Sequence, residues 1–213
     1  MQAKKRHTIA VIVVLLFGFA LFYIGTDGFT AYTAETARVN KLMAEKPQFP
    51  NVTFEDSNKR QYSMDEFAGK YVLATFIYTS CTTVCIDLEM NMSEVYDLLP
   101  KQMIGKDIQF LSISFDPEKD DPETLDTYKT MFPNADGDQW RMTRIQDPNE
   151  LKQLLDEFGV IVIPDEYGNY AHNSAFYLID PEGTLIEVMD YTKIEEAAQK
   201  IVQIVGDEKG DSL

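Results

Sequence analysis

Residues 71–85 read YVLATFIYTSCTTVC, and this stretch limits the fold more than any other part of the chain. Its first eight residues form an unbroken run rich in apolar, β-branched and aromatic side chains, which predicts a buried strand. Residues 86–99 read as a helix, so the chain passes from strand to helix through one short turn. The only two cysteines of the 213 residues, Cys81 and Cys85, stand in that turn. Two cysteines are too few for a disulfide scaffold. A helix N-terminus favours thiolate over thiol, so a thiol pair placed there points to redox or metal chemistry.

The remaining elements set the fold around that turn. Val52 to Phe54 suggest a short strand, and Met64 to Phe67 a helical turn. Residues 108–114 predict a second strand. Asp121 followed by Pro122 opens a helix that runs to about Phe132, and Asp147 followed by Pro148 opens another that ends at Gly159. Residues 140–145 read as a short strand and 160–163 as extended chain. Two strands, 174–179 and 184–189, flank the turn Asp180-Pro181-Glu182-Gly183, and residues 193–205 form a last helix. Strand–helix–strand–helix order requires crossovers and parallel strands, while the hairpin adds antiparallel ones. The expected fold is therefore α/β: a thioredoxin-like domain with an insertion around 116–145, preceded by an N-terminal transmembrane anchor helix.

That anchor is expected at residues 8–24, TIAVIVVLLFGFALFYI, behind a basic cap at 1–7 that holds Lys4, Lys5 and Arg6. Seventeen residues lie at the short end of the roughly 17–25 that span a membrane, and beyond the ~7–15 of a signal-peptide core. We therefore expect an uncleaved anchor, with a cleaved signal as the rival. Residues 25–46 read as a polar tether and 47–213 as the folded domain. Basic residues ahead of the span place the N-terminus in the cytoplasm and the domain outside. His7 then lies on the cytoplasmic side, and His172 is the single histidine of the outer domain. Beyond residue 25 the chain carries 16 basic and 35 acidic residues, a net charge of −19, which argues against nucleic acid as a partner.

Four chemistries can use the thiol pair. A buried structural pair fits poorly with a turn. A thiol–disulfide oxidoreductase usually has two residues between its cysteines and a proline facing them. Here three residues intervene, and the facing stretch, Tyr170 to Ser174, holds His172. A thiol peroxidase needs flanking residues that Ser80 and Thr82 do not supply. The fourth chemistry is a metal site of two thiolates and an imidazole. Cysteines four apart on a helix would share a face, with Cβ atoms roughly 5–6 Å apart. Soft thiolates suit Cu(I), zinc or iron–sulfur centres, and structural zinc asks for four protein ligands. Two thiolates and an imidazole make three, which suits copper. Met90 and Met92 are expected in the core, and the acidic run Glu118, Asp120, Asp121 in a solvated loop.

The stretches YVLATFIYTSCTTVC, FLSISFDPEKDDPETL and HNSAFYLIDPEGTLI, in this order and spacing, resemble the Sco family over about residues 47–206. That family comprises membrane-anchored, thioredoxin-like copper proteins that assist assembly of the dinuclear copper site of cytochrome c oxidase. The resemblance implies copper, as Cu(I) or Cu(II), on Cys81, Cys85 and His172, with Asp116 as an acidic residue beside the site. It implies the copper-bearing oxidase subunit as partner, and another copper chaperone or a thiol reductase as a further one. The alternative it leaves is a thiol–disulfide oxidoreductase that reduces the cysteines of the oxidase copper site. One departure is Ile86, where the family usually has proline after the second cysteine.

Overall fold

The computed structural model describes residues 2–26, 33–135 and 137–210. The chain divides into two compact units, Met1–Glu45 and Lys46–Leu213. The first contains helices α1 (Gln2–Gly25) and α2 (Ala34–Glu45). α1 exposes apolar side chains on every side: Val11, Ile12, Val13, Val14, Leu15 and Leu16 are all open. Among the described residues, no helix is long and apolar enough to cross a membrane. The expected span is thus a helix whose apolar run is short. Seventeen residues rise about 25 Å at ~1.5 Å each, against a hydrocarbon core of about 30 Å. Half of the expected tether is also helical. Thr33 caps α2 by accepting the Thr36 N–H at 3.0 Å, and Arg38 pairs with Glu35 one turn on. Residues 27–32 of the tether lie outside the described residues.

The second unit is built on a seven-stranded sheet of order β2-β1-β5-β4-β3-β8-β9. These strands are β1 (Phe54–Asp56), β2 (Gln61–Tyr62), β3 (Tyr71–Ile77), β4 (Ile108–Ser114), β5 (Trp140–Ile145), β8 (Phe176–Ile179) and β9 (Leu185–Met189). β3, β4 and β5 run parallel, and the pairs β3–β8, β8–β9, β1–β5 and β1–β2 are antiparallel. β3 and β4 are buried at every position, which is why their sequences read as continuous apolar runs. β6 (Val162–Pro164) and β7 (Tyr170–His172) form a separate antiparallel hairpin.

Helix α3 (Val84–Leu98) covers one face of the sheet with α6 (Ile194–Gly210) beside it. Its Glu89 reaches Thr75 on β3 and Ser112 on β4, so those positions point toward α3. Phe76 therefore points the opposite way. There it meets Phe158, just past α5 (Pro148–Glu157), and Tyr177, with centroids 6.2 and 5.2 Å away. α4 (Pro122–Lys129) starts as expected, with Asp121 accepting from the Thr124 N–H at 2.8 Å and Pro122 at the first helical position. Asp147 caps α5 in the same way. The β8–β9 turn closes on Asp180, which accepts from the N–H groups of Glu182 and Thr184, and Gly183 supplies the positive φ of 86°.

Two expectations need correction and one gains content. Residues 116–145, the expected insertion, supply α4 and a full parallel strand, β5, that carries the sheet on to β1. The first strand begins at Phe54 rather than Val52, although Val52 is itself buried. The extended chain after Gly159 and the stretch before Asn173 pair with each other, which makes His172 the end of a strand.

Candidate metal centre

The site lies where β3 ends. Tyr78, Thr79 and Ser80 lead to Cys81, whose N–H returns to the Tyr78 carbonyl at 3.2 Å. α3 starts at Val84, two residues earlier than the sequence suggests, so the cysteines do not share one helix face. Cys85 is in the first turn, and Cys81 is in the loop before it. Thr83, at the cap position, makes no side-chain cap bond. Instead the Cys85 N–H donates to Cys81 Sγ at 3.2 Å. A sulfur thus takes the orphan donor that a serine or aspartate would ordinarily satisfy. Ile86 also uses the group a proline would lack, donating its N–H to the Thr83 carbonyl at 3.1 Å.

His172 approaches from the β6–β7 hairpin. Its Nε2 is 3.3 Å from Cys85 Sγ. Its Nδ1 lies 3.2 Å from the Asn173 carbonyl and 3.3 Å from Ser174 Oγ. An Nδ1–H donated to that carbonyl leaves the Nε2 lone pair facing sulfur, the tautomer a metal ligand needs. The ligand atoms of Cys81, Cys85 and His172 all lie within 4.8 Å of one another. Both cysteines are free thiols. Cys85 is completely buried, Cys81 is 5% exposed and His172 is half-buried.

Aromatic rings wall the imidazole. Phe115 and Tyr78 stand edge-on to it, with centroids at 5.1 and 6.0 Å, and Tyr170 packs on both. The two thiols are unequal. Burial works to raise the Cys81 thiol, but the N–H groups and side chains of Cys85 and Thr83 outweigh it and bring it below the ordinary range. Burial pushes Cys85 well up, and the neighbouring Cys81 and Glu89 add to the rise. Burial lowers His172, partly offset by the Asn173 carbonyl, so the ring is neutral at pH 7.

Asp116 stands beside the ring wall without reaching the imidazole. The Asp116 carboxylate is turned to Lys119 Nζ at 2.8 Å, while the imidazole Nδ1 faces Asn173 and Ser174. Met92 is in the core as expected, but Met90 is 37% exposed. The acidic run is not all solvated: Glu118 and Asp121 are open, yet Asp120 is fully buried. The ring wall, Asp120 and the buried Glu89 are parts of the site that sequence reasoning missed. The tyrosines and Phe115 carried no spacing signal, and an acid inside an acidic run gives no sign that it is buried.

The SCO1/SenC family profile matches residues 43–206. The chain belongs to that family. This SCO1/SenC chain is 30% identical over 145 residues to the SCO1 protein homolog of Bacillus subtilis, a match covering 67% of this chain and 72% of the relative. Its fold is that of solved relatives. ScoI of Bradyrhizobium japonicum with copper bound superposes with a TM-score of 0.60 at 24% identity, covering 74% of this chain and 99% of that one. BsSco, described with a disulfide switch and as a member of the Sco family of cytochrome c oxidase assembly proteins, gives 0.63 at 24% identity, covering 75% and 94%. The α/β thioredoxin-like expectation and the family resemblance both hold for the SCO1/SenC domain.

Proposed function

We propose that this SCO1/SenC protein binds one copper ion through Cys81 Sγ, Cys85 Sγ and His172 Nε2 and delivers it to a copper site of cytochrome c oxidase. The observation that carries the reading is the convergence of two thiols and one correctly oriented imidazole nitrogen within 4.8 Å. Two soft sulfurs and one nitrogen match copper in donor type. The sequence offers no other cysteine to complete a four-thiolate or iron–sulfur set. Copper-bound ScoI and the oxidase-assembly description of BsSco support the same cargo and destination.

The chain's own groups set how the ion is held. Cys81 needs little persuasion to ionise, because the Cys85 N–H already favours its thiolate. Cys85 gives up its proton on binding, and His172 enters as the neutral base. Both sulfurs are buried, which keeps water away from them. Delivery then proceeds by ligand exchange with thiols and imidazoles of the acceptor.

A second reading uses the same pair in thiol–disulfide exchange, and the inequality of the two thiols favours it. The Cys81 thiolate attacks a partner disulfide, Cys85 resolves the mixed disulfide, and the partner leaves with two thiols while this pair becomes a disulfide. Oxidation removes both sulfur ligands, so redox state gates metal binding in either reading.

We further infer that α1 attaches the protein to a membrane, with the SCO1/SenC domain on the extracytoplasmic side. The apolar side chains exposed all round α1, behind Lys4, Lys5 and Arg6, support it. The short apolar run calls for local thinning of the bilayer. Attachment restricts the search for the oxidase to two dimensions and raises the effective concentration.

A copper titration of the reduced full chain against His172→Ala tests the first reading. About one Cu(I) per chain is expected, as one three-ligand site dictates, with clear weakening in the variant. Equal affinity in the two proteins, with thiol exchange intact, would transfer the function to the reductase reading.

A further inference from the structure

The three ligands arrive on elements far apart in the chain: Cys85 and His172 are 87 residues apart. One short turn, residues 115–120 after β4, touches both sides. On the cysteine side stands Asp120, fully buried. Its carboxylate accepts the Thr79 N–H at 3.0 Å, the Thr79 hydroxyl at 2.5 Å and the Ser114 hydroxyl at 2.6 Å. Thr79 is inside the tight turn that Cys81 closes onto Tyr78. Gripping both hydrogen-bond donors of Thr79 fixes that turn in position and rotation. On the histidine side, Lys119 Nζ donates to the Gly168 carbonyl at 3.4 Å and stands 5.6 Å from the Tyr170 ring centroid. Asp116 holds that ammonium, and Phe115 packs against His172 itself.

A buried carboxylate whose hydrogen-bond donors are hydroxyls and one N–H is a costly way to close a loop. A serine or asparagine would satisfy Thr79 without burying a charge. What the acid adds is strength, because bonds to an ionised acceptor are shorter and about twice as strong as neutral ones. We infer that Asp120 is a positioning residue for copper: it holds the Thr79–Cys81 turn at the depth where Cys81 Sγ meets Cys85 and His172 before the ion arrives. The turn that carries it ties this depth to the histidine hairpin, so the sulfur–imidazole separation is set by 115–120 and not by the ion. The inference rests on the copper reading proposed above.

The test uses the reduced full chain and its Asp120→Ala, Asp120→Asn, Thr79→Val and His172→Ala variants. Cu(I) affinity is read by chelator competition, the sulfur-to-Cu(II) charge-transfer absorption is recorded, and thermal unfolding is followed in parallel. Loss of an outer partner of a metal ligand costs about 10–100-fold in affinity. Asp120→Ala is expected to weaken Cu(I) binding by about that factor and to shift the absorption band. Asp120→Asn keeps an acceptor for Thr79 without the charge and recovers only part of the loss. Thr79→Val keeps only the N–H bond and falls between. If Asp120→Ala loses thermal stability alone, with wild-type affinity and an unmoved band, the positioning role is overturned. If Asp120→Ala does not fold, Thr79→Val decides, and wild-type affinity with an unmoved band overturns the role there. If wild type and His172→Ala bind copper alike, the copper reading itself fails, which is a different result from the failure of Asp120.

Discussion

Glu89 offers the sharpest quantitative test of the site's surroundings. It sits one helical turn past Cys85, fully buried, and accepts from Thr75 Oγ1 at 2.6 Å and Ser112 Oγ at 2.5 Å. Burial pushes its carboxyl from 4.5 up to about 7, with the two hydroxyls pulling back. The folded protein therefore keeps a proton that the unfolded chain releases. For a group raised on folding, the stabilisation is fully present below the unfolded value and is lost as pH climbs through the folded one. The change from 4.5 to about 7 corresponds to about 3 kcal/mol at 1.36 kcal/mol per tenfold, most of it lost between pH 5 and 8. Glu89→Gln mimics the protonated acid, since its amide accepts from one hydroxyl and donates to the other. Urea unfolding of both proteins across pH 5–8 separates this group from every other titration. The variant should match wild type near pH 5 and exceed it by about 2–3 kcal/mol near pH 8. Parallel pH profiles for the two would refute the assignment of a raised carboxyl to this position.

Copper uptake near pH 7 should release at least about one proton per ion, because Cys85 is protonated and His172 is not, so affinity rises about tenfold or more per pH unit; competition titrations over pH 6–8.5 that come out flat would contradict this. Iodoacetamide should label Cys81 well before Cys85 in the reduced, metal-free protein, since Cys81 is more acidic and the only one of the two with any exposure; mass mapping of the first adduct decides it. Phe158→Ala empties a buried ring site bounded by Phe49, Phe76 and Tyr177 and should cost about 3–5 kcal/mol in chemical unfolding. Asp147→Ala removes the cap of α5 and should cost about 1 kcal/mol by the same assay, leaving copper binding unchanged.

The centre of the domain was readable because its strands are buried on both faces. YVLATFI and IQFLSIS announce themselves as apolar runs, and the Asp-Pro starts of α4 and α5 announce themselves through local capping chemistry. β5 reads as a strand at its true bounds, but its two arginines hide how fully it joins the sheet. Arg144 spends its charge on Glu55 and the Pro117 carbonyl, and Arg141 lies over the rings of Tyr62 and Phe67, so neither keeps the strand out of the sheet. β7 has only three residues, and its pairing with β6 is a tertiary fact. The start of α3 was hidden because its cap is a cysteine sulfur. In the site, the three converging side chains were legible as residue types, and the fold order placed them together. The groups that orient them were not, since Asn173, Ser174 and Asp120 act through backbone placement that no spacing rule encodes.

Trp140 lies close to the buried Glu89. It is the only tryptophan in the chain and 1% exposed, and its indole N–H donates to Ser112 Oγ at 2.9 Å. That same hydroxyl donates to Glu89. The single fluorophore is therefore two hydrogen bonds from a carboxyl that lies one turn below Cys85. Ionising that carboxyl places a charge near the indole dipole, so the emission colour and yield are expected to shift as Glu89 titrates, and a fluorescence pH titration of wild type against Glu89→Gln checks it. Such a response would give the protein a native, label-free optical gauge, reading from inside the core what happens beneath its thiols.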